Sequence, residues 1–253
     1  MIRLDGRKVL ITGGSRGIGR AAAVLFAKAG ADVAITYVAN AAAADEVRRA
    51  VEALGKTCLV YRTEVAKKAE VDRMVDDILT RWGELDTVVN NAGVWTYLAI
   101  GKMDEAVYRE TVAVNLDGVL YVTNAVVPKM KEKSRGWIIN VSSTAGVRGE
   151  AEHSHYAATK GALRALTKSW AVELAPWGIR VNCVAPGWVD TDMCVEVFSD
   201  AAFREKVRQS IPLKRIPSAE DIAGPILFLA SDLARHMTGA ILDVNGGSVL
   251  TGG

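Results

Sequence analysis

The sequence predicts an α/β fold: one doubly wound domain built on a seven-stranded parallel sheet, with helices on both faces. Short runs rich in β-branched residues alternate with longer amphipathic segments, which is the order of successive strand–helix units. The strand runs are apolar along almost their whole length, as expected of strands that are buried on both faces. No linker, repeat or low-complexity tract divides the 253 residues, so we expect a single domain over residues 1–253.

The individual elements follow from the period of the apolar residues, which is close to 3.6 in the helical segments. The predicted strands are Lys8–Thr12, Asp32–Tyr37, Thr57–Tyr61, Asp86–Asn90, Trp137–Val141, Arg180–Val184 and Ile241–Val244. The predicted helices are Gly17–Ala29, Ala42–Leu54, Ala69–Trp82, Asp104–Lys131, His155–Ala175 and Ala219–Ala230.

One long segment, residues 187–218, interrupts this alternation. It contains Pro212 and Pro217 around a short helical stretch, and it follows the carboxyl end of the sixth predicted strand. Open α/β sheets bind their ligands at that edge. We therefore expect the segment to act as a substrate lid, the alternative being an ordinary surface excursion.

Composition excludes several classes of protein. Half of the residues are hydrophobic, and the net charge is +2 with both signs interspersed, so we expect neither nucleic-acid nor membrane-surface binding. No apolar run reaches the ~20 residues that a membrane span needs. Cys58, Cys183 and Cys194 form no CxxC pair, which argues against a disulfide framework and a zinc site. With no signal-peptide profile at the N-terminus, the expected location is the cytoplasm.

A glycine-rich turn, TGGSRGIG at residues 12–19, follows the first predicted strand and opens a helix. Gly13, Gly17 and Gly19 permit a tight turn and a close approach of the backbone to a pyrophosphate, which the helix N-terminus would also attract. The spacing is GxxxGxG rather than GxGxxG, and the turn itself contains no GKS or GKT sequence, which argues against a nucleotide triphosphatase loop. The turn predicts a dinucleotide site of the Rossmann type, although a glycine-rich turn alone could be only a tight connection.

Two features indicate which dinucleotide is bound. The second predicted strand ends in TYVAN at residues 36–40, without the acidic residue that would bind an adenosine ribose and repel a 2′-phosphate. Arg16 lies inside the glycine-rich turn, where its guanidinium could reach a 2′-phosphate. Both features favour NADP(H) over NAD(H).

The segment VSSTAGVRGEAEHSHYAATK, residues 141–160, carries the candidate chemistry. Tyr156 and Lys160 are four residues apart, so on a helix they share a face. A free phenol has a pKa of about 10, and a neighbouring cation favours its ionised form. Ser143 could hold a substrate oxygen at the same point, which suits proton transfer to a carbonyl or from an alcohol. Taken alone, this spacing also arises by chance.

Together these motifs resemble the short-chain dehydrogenase/reductase family, and the resemblance covers nearly the whole chain. The chain is particularly similar to members of the 3-oxoacyl-(acyl-carrier-protein) reductase type. The matching motifs are TGGSRGIG, the NNAG of residues 90–93, Asn115 in VNLDG, Ser143 with the YxxxK of Tyr156 and Lys160, Pro186-Gly187 with Thr191, and the VNGG ending at Gly247.

The resemblance implies an oxidoreductase that transfers hydride between NADP(H) and a carbonyl or secondary alcohol. Tyr156 would be the general acid/base, and Ser143 would bind the reacting oxygen. Lys160 would lower the tyrosine pKa and hold the nicotinamide ribose, while Asn115 would support a water linking the lysine to solvent. Ser142 competes with Ser143, but the 13-residue offset from Tyr156 favours Ser143.

The resemblance also implies a set of cofactor contacts, in which Glu64 stands where the family often has an aspartate. The expected set is Gly13, Ser15, Arg16, Gly17, Ile18, Gly19, Tyr37, Glu64, Val65, Asn91, Ala92, Gly93, Tyr156, Lys160, Pro186, Gly187, Val189 and Thr191.

Residues flanking the motifs predict an apolar, partly aromatic pocket that suits a hydrophobic or cyclic ketone. The expected lining is Trp95, Ala145, Glu150, His153, Trp188 and Met193. His153 either bonds a polar substrate group or lies in solvent. His153 and His155 diverge at this spacing, so no metal site is expected.

The resemblance also bears on the protein partners, namely further copies of the chain and an acyl carrier protein. The resemblance implies a homotetramer. Carrier-protein reductases of this type present arginines at positions that correspond here to Ser134 and Trp177, so an acyl carrier protein is not favoured, although Lys133 and Arg135 are adjacent and could compensate. A non-catalytic NADP(H)-binding regulator is a second alternative. A serine hydrolase lacks support because Ser143 does not lie in a GxSxG motif and has no suitably placed acid–base pair.

Overall fold

The structure, a computed structural model, describes residues 2–250. Its sheet has seven strands, all parallel, in the order β3-β2-β1-β4-β5-β6-β7, which confirms the predicted fold class. Strands are added to one side of β1 as far as β3 and then to its other side from β4 onward. The order therefore switches between β1 and β4, and such a switch opens a crevice at the carboxyl ends of the two strands. The strands are β1 Lys8–Ile11, β2 Asp32–Tyr37, β3 Cys58–Arg62, β4 Thr87–Asn90, β5 Gly136–Val141, β6 Ile179–Pro186 and β7 Ile241–Val244.

Helices cover both faces of the sheet, as the apolar strands require. One core cluster packs α1, α2 and α10 against the sheet, and a second cluster packs α3, α5 and α7 against the opposite face. The helices are α1 Gly17–Lys28, α2 Ala41–Glu52, α3 Lys68–Trp82, α4 Glu105–Val112, α5 Gly118–Lys133, α6 Ala145–Arg148, α7 Ser154–Leu174, α8 Val195–Phe198, α9 Ala201–Ser210 and α10 Ala219–Ala230.

The helix predicted over Asp104–Lys131 is wrong as a single element. It consists of α4 and α5, joined by a π-helical turn at Ala113–Asp117. Asn115 is fully buried in that turn and makes two hydrogen bonds to the backbone of Val94. These tertiary bonds explain the widened turn, a feature that is frequent at functional sites.

A buried polar network connects the centre of the sheet to α5 and α7. The side-chain amide of Asn90 donates to Thr123 at 3.1 Å and to the side-chain oxygen of Asn140 at 2.9 Å. Asn140 in turn donates to the Thr167 hydroxyl on α7 at 2.9 Å. Because buried polar groups cost free energy unless they are paired, this network favours one position of α7 over β5.

Residues 187–218 form a compact excursion on the edge described above. Its base is closed by the Asp190 amide, which donates to the Pro217 carbonyl at 2.9 Å, and by a bridge between Asp190 and Ser218. Between these ends lie a 3₁₀ turn, α8 and α9. The excursion has its own apolar cluster, in which Cys194, Phe198, Val207 and Ile211 are buried.

We predict that Asn140→Ala lowers the free energy of unfolding by about 2 to 4 kcal/mol, because Asn90 and Thr167 each lose a buried partner. Urea unfolding of the two proteins measures the difference. Asn124→Ala is the matched control: that exposed amide bonds only the Leu120 carbonyl, so its loss costs below about 0.5 kcal/mol. Equal effects of the two substitutions would contradict a stabilising role for the network.

Candidate active site

The glycine-rich turn leaves the N-terminus of α1 without a side-chain cap. Arg16 occupies the cap position with extended backbone, and its side chain makes no cap hydrogen bond. The turn is fixed from behind, since the Thr12 hydroxyl accepts hydrogen bonds from the amides of Asn91 and Ala92, both at 3.0 Å. The first turn of α1 therefore offers its amides and its dipole to an anion.

Gly19 makes the close approach that this turn requires. A Cβ at this position would overlap the carbonyl oxygen of Gly13 and would lie 2.6 Å from the Asn91 side-chain nitrogen. The turn is thus packed directly against the segment that follows β4. This juxtaposition places the glycine-rich turn and the NNAG motif in one crevice, which fits a dinucleotide.

The predicted cofactor residues differ in how far their side chains are buried. The side chains of Ile18 and Val189 belong to the hydrophobic core, and Tyr37 packs against the same cluster. Glu64 is exposed, and its carboxylate lies 2.8 Å from the Lys67 ammonium. Arg16 is exposed at the start of α1.

Tyr156, Lys160 and Ser143 come together at the end of β5. Tyr156 and Lys160 are buried one turn apart on α7, and the Ser143 hydroxyl, which accepts from the Ala145 amide at 3.1 Å, lies close enough to the phenol to lower its pKa. Ser142 points elsewhere: its buried hydroxyl donates to the Lys160 carbonyl at 2.7 Å. The geometry thus brings Ser143, and not Ser142, to the phenol.

Burial dominates the electrostatics of this group. It raises the pKa of Tyr156, while the hydrogen bond from Ser143 acts in the opposite direction. Burial also lowers the pKa of Lys160 to about 8. The expected lowering of the tyrosine pKa by Lys160 is not found, because the ammonium donates to the Val141 carbonyl at 3.0 Å and lies 5.7 Å from the phenol ring centroid.

Asn115 holds the loop after β4 close to α7. Its side-chain oxygen accepts from the Val94 amide at 2.8 Å, and its amide donates to the Val94 carbonyl at 2.9 Å. The same amide lies 3.3 Å from the Thr159 hydroxyl, which donates to the Tyr156 carbonyl at 2.7 Å. Asn115 thereby ties three segments of the site together.

Aromatic side chains line the side of the site opposite the glycine-rich turn. Trp95 packs with Ala145 and Tyr156 and meets Trp188 edge to face, with ring centroids 5.6 Å apart. His153 is partly buried: its ring stacks on Trp95 at 4.3 Å, and its Nδ1 lies 3.0 Å from the Ala151 carbonyl.

The aromatic wall extends into the excursion through residues that the sequence did not single out. Trp188 contacts Phe198 and Phe203 at centroid distances of 5.6 and 5.7 Å. The only sequence signal for them was their apolar character within residues 187–218. Met193 is 45% exposed, while its neighbour Cys194 is buried in the cluster.

The two histidines before Tyr156 diverge as predicted. His155 is buried and bonds Thr96, while His153 stacks on Trp95. Within residues 2–250, no group of three or more His, Cys, Asp or Glu side chains is placed to hold a metal ion. In the same part of the chain, no helix has both the length and the apolarity to cross a membrane.

The positions tied to carrier-protein binding carry little free positive charge. Ser134 ends α5 in a left-handed conformation, and Trp177 lies under the Lys131 ammonium at 4.0 Å. Arg135 is hydrogen-bonded to the buried carboxylate of Asp86. Lys133 lies 3.8 Å from Glu84. The two cations that could compensate are therefore already paired.

Comparison with known proteins agrees with this geometry. The model of a family described as Enoyl-(Acyl carrier protein) reductase matches residues 13–249. L-rhamnose 1-dehydrogenase (NAD(P)(+)) from Azotobacter vinelandii is 39% identical, over 98% of each chain. The 3-oxoacyl-(acyl-carrier-protein) reductase FabG of Thermotoga maritima is 38% identical, over 98% of this chain and all of its own.

Solved structures show the same architecture. A putative short-chain alcohol dehydrogenase from Sinorhizobium meliloti superimposes with a TM-score of 0.93 at 32% identity, over 97% of each chain. Levodione reductase gives a TM-score of 0.92 at 32% identity, over 97% of this chain and 98% of its own. Fold and site thus define a nicotinamide-dependent oxidoreductase. The chain belongs to the short-chain dehydrogenase/reductase family.

We predict that stability rises with pH relative to the variant Lys160→Met. The lysine pKa is about 8 when folded and 10.5 when exposed, so the unfolded chain binds more protons between these values and unfolding becomes costlier as the pH increases. From pH 7 to pH 10 the wild type should gain about 2 to 3 kcal/mol over Lys160→Met. Urea unfolding of both proteins at the two pH values measures this, and a constant difference would contradict the buried, easily deprotonated lysine.

Proposed function

We propose that this chain is an NADP(H)-dependent enzyme that interconverts a carbonyl compound and a secondary alcohol, with Tyr156 as general acid/base. The observation that carries the proposal is the buried Tyr156, one helical turn from the buried Lys160 and close enough to Ser143 for its pKa to be lowered, in a fold whose α1 begins without a side-chain cap. We further propose that residues 1–253 act as one domain and that residues 187–218 close over the substrate.

The residues of the crevice fit a dinucleotide. The amides at the start of α1 would bind the pyrophosphate, and Arg16 would bind the adenosine 2′-phosphate. Segments 91–93 and 186–191 would border the nicotinamide half, with Lys160 on its ribose. When bound, the cofactor supplies the hydride for reduction or accepts it in oxidation.

In the reductive direction, Tyr156 gives its hydroxyl proton to the substrate oxygen as negative charge develops there. The phenol O–H bond breaks, the alcohol O–H bond forms, and a phenolate remains. Ser143 donates a hydrogen bond that stabilises the developing charge. Lys160, with a pKa lowered to about 8 by burial, can return a proton to the phenolate, and Asn115 supports its path to solvent.

The aromatic wall supports a hydrophobic or cyclic substrate. Trp95 and Trp188 present a rigid apolar surface next to Tyr156, and Glu150 adds a carboxylate on the same side. Such a wall favours a ring or a bulky apolar group over a small hydrophilic carbonyl compound.

Reduction of a 3-oxoacyl group on acyl carrier protein is a second candidate. Its support is the whole-length similarity to relatives named for that activity. The pairing of Arg135 with Asp86 and of Lys133 with Glu84 weighs against it, because an acidic carrier needs free cations. We also propose a homotetramer in the cytoplasm, in which the exposed Val172 on α7 would be covered.

The proposed chemistry predicts that Tyr156→Phe lowers turnover on the order of 10²- to 10⁴-fold, because the proton donor is lost. NADPH oxidation is followed at 340 nm against cyclic ketones, aryl ketones, 3-oxoacyl thioesters and quinones. NADPH binding, measured by fluorescence titration, should be retained. A variant as active as the wild type would refute the role of Tyr156, and tight NADPH binding without turnover of any substrate would favour a regulator.

The proposed cofactor preference predicts that Arg16→Ala raises the Michaelis constant for NADPH about tenfold or more, since a charge-assisted bond to phosphate is lost. The constant for NADH should change little. Arg20→Ala, which removes an exposed arginine one turn further along α1, is the matched control. Equal effects of Arg16→Ala on both cofactors would overturn the assignment.

A further inference from the structure

A chain of three side chains runs from the residue before Tyr156 into α4. His155 Nε2 lies 2.7 Å from the Thr96 hydroxyl, and that hydroxyl lies 2.7 Å from the Thr111 hydroxyl. Thr111 donates to the Val107 carbonyl at 2.8 Å. His155 and Thr111 are buried, so these bonds have little competition from solvent.

The direction of donation along this chain follows from its last bond. Because the Thr111 hydroxyl gives its only hydrogen to Val107, its oxygen must accept from Thr96. Thr96 has then used its own hydrogen, so it accepts from His155. His155 must therefore be the tautomer with the hydrogen on Nε2. Its Nδ1, which is buried and has no hydrogen-bond partner, is then bare.

Each member of the chain neighbours a residue of the candidate site. His155 precedes Tyr156, Thr96 follows Trp95, and Thr111 lies four residues before Asn115. The three segments belong to α7, the loop after β4, and α4. A displacement of any one segment would break a buried hydrogen bond, which costs more than an exposed one.

We propose that His155 is a positioning residue: through Thr96 and Thr111 it fixes the Trp95 wall relative to Tyr156, and so sets the alignment of the substrate carbonyl. This inference deepens the proposed function and rests on it. Neither Tyr156 nor Trp95 depends on the imidazole for its chemistry, so His155 acts through them.

Burial favours the form of the His155 imidazole that donates one hydrogen bond to Thr96. It lowers the pKa of His155, with a smaller contribution from the nearby His153, and so favours the neutral ring. A neutral ring with one hydrogen is a directional donor, whereas a charged ring would carry a second hydrogen toward the unpartnered Nδ1 side.

The kinetic test compares His155→Leu with His155→Gln, whose side-chain amide can still donate to Thr96. We expect His155→Leu to lower kcat/KM for the carbonyl substrate by about tenfold to a hundredfold, a typical effect of a small misplacement. The Kd for NADPH should stay within about twofold, and His155→Gln should recover most of the activity, because only the donor is needed. His236→Gln, at an exposed histidine in the loop before β7, controls for histidine loss.

A second measurement does not depend on activity. The chain has three histidines, so nitrogen-15 NMR of histidine-labelled protein, assigned with the variants at positions 155 and 236, reports the tautomer of His155. The hydrogen on Nε2 is the expected result, and in Thr111→Val the Nε2 signal should shift. A hydrogen on Nδ1, or a His155→Leu enzyme with unchanged kcat/KM, would overturn the positioning role.

The same experiments separate this inference from the function beneath it. If the wild type reduces a carbonyl and Tyr156→Phe does not, the proposed function holds and only the His155 variants decide the positioning role. If the wild type turns over none of the substrates, the proposed function fails, and the positioning role fails with it.

Discussion

The docking of α7 on the end of β5 is the constraint on which the rest of the site depends. Two reciprocal bonds make the joint: the Ser142 hydroxyl donates to the Lys160 carbonyl, and the Lys160 ammonium donates to the Val141 carbonyl. Gly146 allows the next turn to lie directly on the helix, since a Cβ there would be 2.6 Å from the Gly161 amide nitrogen. Two side-chain-to-backbone bonds thus join the end of β5 to α7, and one close backbone approach joins α6 to α7.

This joint explains why a buried ammonium is tolerated. Lys160 is removed from water, at a cost that its lowered pKa reflects, but its position is set by the strand it bonds and not by the phenol beside it. Ser143 acts on Tyr156 in the direction that lowers its pKa and so favours the ionised phenol. The candidate site separates two tasks, because Lys160 is held by β5 and Tyr156 is tuned by the loop that follows it.

Much of the fold could be predicted because alternation and apolar runs are local properties of the sequence. The seven strands, the glycine-rich turn and the meeting of Ser143 with Tyr156 follow from period, spacing and the resemblance. The π-helical turn could not be predicted, since it exists through bonds from Asn115 to a loop distant in sequence. The lysine's partner and the stacking of His153 on Trp95 were missed for the same reason: each depends on which group lies nearest in space.

The excursion of residues 187–218 contributes an aromatic wall while remaining structurally separate. Four of its buried side chains form a cluster of their own, its two ends are joined by a backbone bond between Asp190 and Pro217, and it is tied to the rest of the fold through Val189 in the main core and the Leu213 amide, which donates to the Gly246 carbonyl. The segment thus forms a small subdomain beside the site, and its Trp188 ring meets the Trp95 ring edge to face. Substitutions at Trp188, Phe198 or Phe203 can therefore reshape the wall beside Trp95 without touching the bonds that join α7 to β5.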